Sequence, residues 1–293
     1  MFVADVTVLD CAVLDPIRGL VGQSWHVDAE LIGRLDGESV VFDFSYAKKA
    51  VKKAIDEVSD HRLVLPRAVA AQASLEIAED PGTRVSFSYE FGGGERLDYT
   101  CPRQALCVLD QPVVTAQALQ AYLERAVMKV MPANVSGVRL ALREEVFADG
   151  QPRYHYTHGL KQHYGNCQRL FHGHRNKLDL IVGGVKDGEL ENRVAQEWAD
   201  AHFTYPENVL ERDLKIGARQ DHLPRLRIRY RGNQGPFEAV LPGRCVYVMP
   251  YETTVENISR HLAAKARDLL GRRRASVRAR AYEGIGKGAE AAG

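Results

Sequence analysis

Apolar and polar positions along the chain alternate in short runs, then switch to a longer period, and this succession occurs twice. Val85, Phe87 and Tyr89 alternate with polar residues, as do Leu226, Ile228 and Tyr230, which is the two-residue period of a half-buried strand. A glycine-bearing turn follows each run, EFGGGE from Glu90 and RGNQGP from Arg231, and both suit a hairpin. Leu119, Leu123, Ala126, Val127 and Val130 then take helical spacing, as do Ile258, Leu262, Ala266, Leu269 and Leu270. Both stretches return to a strand, GVRLALREE from Gly137 and SVRARAYEG from Ser276.

The correspondence extends upstream. Val27, Ala29 and Leu31 alternate ahead of Gly33 as Leu178, Leu180 and Val182 do ahead of Gly184, and the same count backwards pairs Gln23 with His174. His61 precedes Arg84, and His202 precedes Arg225, by 23 positions, which matches His61 to His202. Each copy reads as two antiparallel strands, a helix (YAKKAVKKAIDEV in the first), an extra hairpin, a second helix and a closing strand. That is an α+β unit with helices on one sheet face. The join falls at the turn-forming Asp149-Gly150-Gln151-Pro152, giving units 1–150 and 151–293.

Composition changes little in this picture. A chain of 293 residues is long enough for two domains, and its net charge of +1 calls for no nucleic-acid partner. Five scattered cysteines read as reduced thiols, and the N-terminus has acids where a signal peptide has lysine or arginine. No apolar run has the length to span a bilayer. A soluble cytoplasmic protein is expected. The tail GIGKGAEAAG lacks the spacing of a phosphate loop and reads as a flexible end. The run Arg272, Arg273, Arg274, Arg278 and Arg280 reads as a solvated helix end or as steering for an anionic substrate.

Candidate chemistry concentrates in the second copy. His172 and His174 flank Gly173 at the start of an alternating strand and project to one side. With His158 on the preceding strand they form a set of three nitrogen ligands suited to Zn²⁺ with one open position. Cys167 is either a fourth ligand or a separate proton acceptor.

A histidine on the first strand, a cysteine, His-Gly-His opening the second strand, Asp43-Phe44 before the first helix and Asp60-His61 after it resemble the 6-pyruvoyl- and 6-carboxy-tetrahydropterin synthase family. So do Thr254, Glu256 and Asn257 opening a late helix, and a glutamate (Glu144 or Glu283) ending the last strand. The resemblance runs once through each copy. It implies two tandem tunnelling-fold units, an antiparallel sheet with two helices on one face plus an extra hairpin in each, assembling as a homo-oligomeric ring. It also implies a zinc-dependent lyase that eliminates triphosphate from 7,8-dihydroneopterin triphosphate or a related pterin. The roles implied are Cys167, Asp60 and His61 in proton transfer and Glu283, Glu144, Thr254 and Glu256 in substrate binding.

The copies depart from the family pattern in complementary ways. The second has Ala201-His202 at the dyad; the first has Val21-Gly22-Gln23 in place of His-Gly-His and Thr115-Ala116-Gln117 in place of Thr-x-Glu. Zinc ligands are therefore expected in the second copy alone, with Asp60 and His61 crossing from the first to Cys167. The spacing between Cys167 and His172 does not select the pyruvoyl or the carboxy product. Two other readings remain: a non-catalytic zinc- and pterin- or purine-binding protein, and a structural zinc protein closed by Cys167.

Overall fold

Leu226, Ile228 and Tyr230 are buried while Arg225, Arg227 and Arg229 between them are exposed, so the two-residue period is realised as a strand with one wet face. The computed structural model describes residues 1–78, 82–271 and 275–293. In chain order the first half carries β1 (Phe2–Asp15), β2 (Gly19–Gly33), α1 (Phe44–Val58), β3 (Leu63–Pro66), α2 (Arg67–Ala71), β4 (Ser74–Ala78), β5 (Gly82–Phe91), β6 (Glu95–Pro102), β7 (Leu106–Leu109), α3 (Ala116–Met128) and β8 (Val135–Arg143). The second carries β9 (Arg153–His158), β10 (His172–Val182), β11 (Val185–Lys186), α4 (Gly188–Trp198), β12 (Ala201–Thr204), β13 (Ala218–Arg219), β14 (Arg225–Gly232), β15 (Gly235–Pro242), β16 (Val246–Val248), α5 (Val255–Leu270), β17 (Val277–Tyr282) and β18 (Gly288–Ala292).

The fold is α+β. One sheet has the order β7-β3-β1-β2-β8, and a second contains β16-β12-β9-β10-β17, so the two orders match strand for strand. Pairing sense matches too: β1–β2 and β9–β10 are antiparallel, and β1–β3 and β9–β12 are parallel. Val51, Ile55, Leu119 and Leu123 of α1 and α3 bury against Leu9, Val27 and Leu140 of the first sheet. Val194, Trp198, Ile258 and Leu262 of α4 and α5 do the same against Tyr154, Leu178 and Ala279 of the second. The hairpins β5–β6 and β14–β15 join edge to edge in a third sheet, with Tyr99 of β6 opposite Ala239 of β15.

The two main sheets meet where β2 crosses β10. A Cβ on Gly22 would lie 2.0 Å from Tyr156 O and 2.5 Å from His174 N, and one on Gly173 would lie 2.6 Å from Gly22 Cα. Only glycine admits backbones this close. His155 Nδ1 donates to Gly22 O at 2.7 Å, and Arg175 N–H donates to Ser24 Oγ at 3.2 Å across the same crossing.

Three expectations change. The strand registers pair Ala12 with Leu63 in the first sheet and Thr157 with His202 in the second, so His202 corresponds to Leu63. The residue matching His61 is Asp200: both take left-handed backbone, φ +54° and +58°. Their N–H groups donate to matching carbonyls of the first strands, Asp10 O at 2.7 Å and His155 O at 2.8 Å. The count of 23 misleads because the segment before β14 is two residues longer than the one before β5. Secondly, the C-terminal tail is not a flexible end: it forms β18, paired to β17. Thirdly, Arg278 and Arg280 lie on β17 and pair with Glu290 at 3.7 and 2.6 Å, whereas Arg272, Arg273 and Arg274 fall outside the described residues. Among the described residues no helix is long and apolar enough to cross a membrane.

The crossing makes a direct demand on residue size. Gly22→Val is expected to lower the unfolding free energy by about 1–3 kcal/mol or more, as overpacking does. Gly188, with nothing within 4 Å of an added Cβ, should accept alanine without loss. Denaturant titration of both variants checks this, and an unchanged Gly22→Val would contradict the close packing.

Candidate metal and proton-transfer site

The β9–β10 ladder sets His172 directly opposite His158, and His174 follows two residues along on the same face. All three imidazoles are fully buried. Each Nδ1 faces an oxygen: His158 meets Thr253 O at 2.9 Å, His172 meets Arg169 O at 3.1 Å, and His174 approaches Asp10 Oδ1 at 3.1 Å in an ion-pair contact. Carbonyl oxygens only accept, so the hydrogen bonds of His158 and His172 place their protons on Nδ1 and turn their Nε2 atoms toward the cluster. His158 Nε2 and His174 Nε2 are 3.3 Å apart, and Glu283 Oε1 lies 3.6 and 3.8 Å from them. His158, His172, His174 and Glu283 each offer a ligand atom within 4.8 Å of the others.

Burial, reinforced by the neighbouring histidines, holds His158 and His172 well below the usual histidine range, so both are neutral. His172 Nε2 is buried with no hydrogen-bond partner among the described residues, and so is His174 Nδ1, whose 3.1 Å approach to Asp10 Oδ1 lacks hydrogen-bond alignment. Such an atom costs about 1–3 kcal/mol unless something fills its lone pair. A divalent cation would resolve both the orphaned His172 Nε2 and the close approach of the His158 and His174 Nε2 atoms to each other and to the Glu283 carboxylate, so the donor set fits a metal ion.

Asp60 and His61 follow α1 in the turn that leads to β3. His61 Nδ1 and Asp60 Oδ2 are 2.5 Å apart, and the imidazole also hydrogen-bonds Cys167. Burial alone would lower the pKa of His61, but the hydrogen bonds and charge of Asp60 and Cys167 outweigh it and raise it to about 10. Arg169 Nη1 grips the same turn from the second half, donating to Asp60 O at 3.2 Å and His61 O at 3.4 Å. Cys167 lies on the short turn Asn166–Gln168, with Leu160 N–H donating to its carbonyl. Tyr230 OH and Gln234 N–H of the β14–β15 hairpin hold Gln168, each at 2.7 Å. Ligand atoms of His61, Cys167 and His172 lie within 4.8 Å of one another. His172 is thus common to both clusters.

The structure does not gather every residue the sequence singles out. Glu144 is exposed and pairs with Arg175 at 3.2 Å. Thr254 caps α5 through Asn257 N–H, and Glu256 is exposed in the first turn of that helix, a helix-start arrangement. Asp43 likewise caps α1. His202 hydrogen-bonds Thr157 at 3.0 Å, and Phe171 packs against its ring. Val13, Val21 and Gln23 occupy the first-half positions of His158, His172 and His174.

Three residues escaped the sequence reading: Asp10, Thr253 and Arg169. Two signals pointed to them. Asp10 is an acid inside the otherwise apolar run VLDCAVL, and Arg169 stands three residues before His172 as Arg18 stands before Val21.

The family model for 6-pyruvoyl tetrahydropterin synthase matches residues 150–293. A putative 6-carboxy-5,6,7,8-tetrahydropterin synthase of Methanocaldococcus jannaschii is 27% identical over 137 residues, which span 45% of this chain and 78% of that protein. Its counterpart in Pyrococcus horikoshii is 24% identical over 124 residues, 42% of this chain and 68% of that protein. A crystal structure of 6-pyruvoyl tetrahydropterin synthase from Plasmodium vivax aligns at 17% identity and a TM-score of 0.35, covering 50% of this chain and 97% of that one.

If the histidine triad is the metal site, His172→Ala should weaken divalent-metal binding by about tenfold or more. His202→Ala, at a buried histidine outside the cluster, should leave it unchanged. Metal analysis after dialysis against a weak chelator reads both, and equal retention would remove His172 from the site.

Proposed function

Since this chain belongs, through residues 150–293, to the 6-pyruvoyl tetrahydropterin synthase family, we propose that it is a zinc-dependent carbon–oxygen lyase acting on 7,8-dihydroneopterin triphosphate or a related pterin. In this reading residues 1–150 and 151–293 are two copies of the tunnelling-fold unit, and the site is composite. The second copy contributes His158, His172, His174 and Cys167, and the first contributes Asp60 and His61. The observation that carries it is the meeting of His61, Cys167 and His172 within 4.8 Å inside one chain.

Bound at the three histidines, zinc would supply Lewis acidity toward the hydroxyls of the substrate side chain. Cys167 accepts a proton from the substrate carbon, triphosphate departs with the electrons of its C–O bond, and protonated His61 returns a proton. Asp60 fixes the tautomer and orientation of His61 through the Nδ1 contact. Of the two glutamates, Glu283 stands at the site and is assigned the amino and ring N–H groups of the pterin, which a carboxylate can accept together. Glu144 is committed to Arg175. A ring of such chains is not required to complete this site.

The position of Glu283 also favours a second reading. Its carboxylate could close the coordination shell, and four protein ligands mark a structural rather than a catalytic zinc. Cys167 groups with His61 and His172, not with the triad and Glu283, which weighs against the cysteine as the closing ligand.

Incubating the zinc-loaded protein with 7,8-dihydroneopterin triphosphate should release triphosphate, at a rate per chain independent of protein concentration. Cys167→Ala and His61→Ala should each lower kcat by about 10²–10⁴-fold, the usual loss for a proton-transfer group. No release from the unmodified protein would leave the closed-shell reading, and full activity in His61→Ala would sink the composite site.

A further inference from the structure

Asp10, on β1 of the first half, is 2% exposed and surrounded by the functional groups of both halves. Its carboxylate takes Ser24 Oγ at 2.5 Å, Lys287 Nζ at 3.1 Å and the His174 Nδ1 contact at 3.1 Å. Its backbone serves the dyad: its N–H donates to Asp60 Oδ1 at 3.1 Å, and its carbonyl accepts His61 N–H at 2.7 Å. Gly284 lets the β17–β18 turn close over it, since a Cβ there would stand 2.5 Å from Asp10 Oδ1.

The matching position of the second half makes the carboxylate informative. That position is His155, whose carbonyl accepts Asp200 N–H in the same way but whose side chain only reaches Gly22 O. Where the first half supplies Asp10, the facing strand carries His174; where the second supplies His155, the facing strand carries Gln23. The carbonyl's role belongs to both halves, while the acid stands opposite a candidate metal ligand.

We propose that Asp10 is a positioning residue: its carboxylate holds His174 with Nε2 toward the metal, and its backbone sets the Asp60–His61 turn in register with that metal. This rests on the metal-site reading above. It makes a site whose ligands all lie in the second half depend for its affinity on a strand of the first. A carboxylate behind a ligating imidazole orients the ring and raises its basicity, and losing such a partner costs about 10–100-fold in metal affinity.

The test is zinc affinity by competition with a chromophoric chelator, together with the visible spectrum of the cobalt-substituted protein. Both are measured on wild type, Asp10→Asn, Asp10→Glu and Asp60→Asn, with circular dichroism to confirm folding. Asp10→Asn keeps the shape and the backbone contacts and should bind zinc about 10–100-fold more weakly with an altered cobalt spectrum. Asp10→Glu should recover part of the affinity, and Asp60→Asn should bind as wild type does.

In wild type, long-range ¹H–¹⁵N correlation should find the His174 proton on Nδ1, a result that does not depend on any variant folding. Unchanged zinc affinity in folded Asp10→Asn, equal loss in Asp10→Asn and Asp10→Glu, or a His174 proton on Nε2 would each overturn the proposal. Failure of wild type to bind zinc would instead overturn the metal-site reading beneath it, and the wild-type control keeps the two apart.

Discussion

Everything at the site depends on how closely β2 and β10 cross. Gly22 and Gly173 remove the side chains that would hold the two sheets apart, and the gap closes until their backbones touch. His174 is the neighbour of Gly173, and Ser24 lies two residues from Gly22, so the residues flanking the crossing are the ones that build the candidate metal site. The joined hairpins of the third sheet, with Tyr99 opposite Ala239, fix the same relation a second time from the side.

The crossing relates two equivalent places, and among the described residues the candidate metal ligands gather at one of them. At the first, Arg169 holds the Asp60–His61 turn by its carbonyls, and the loop between β9 and β10 is long enough to bring Cys167 over His61. At the second, Arg18 holds the Asp200 turn, but as a side-chain ion pair at 2.5 Å, and β1 passes into β2 through residues 16–18 alone. That connection holds no cysteine, and Leu20, Phe91, Leu97 and Leu241 line the neighbouring cavity together with Asp200, His202 and Cys245. The same scaffold thus gathers the candidate metal ligands on one side and an ion-paired, largely aliphatic and aromatic contact on the other.

Much of this was legible in the pattern of residues. The period-two runs and the helical spacings located the hairpins and helices, and His172 and His174 fell on one face by strand geometry, with His158 joining them through the register that pairs it with His172. The register of β3 and β12 was not legible. A count along the chain cannot see that one connecting segment is two residues longer, so His202 was matched to His61 when the backbone turn equates His61 with Asp200. Asp10 and Thr253 escaped because their partners stand at the far end of the chain or behind a capping motif that already explained the local sequence. The tail was misread for a related reason: its pairing to β17 comes from a neighbour and not from its own glycine-rich composition.

The central claim is that one chain brings a proton-transfer dyad from its first half to a metal held by its second. A crystal structure of the zinc-loaded protein, with anomalous data at the zinc edge, tests it most directly. The account predicts one zinc per chain at the Nε2 atoms of His158, His172 and His174, with Cys167 and His61 of the same chain in contact beside it. Zinc bound elsewhere, or a His61 from another chain against Cys167, would contradict it.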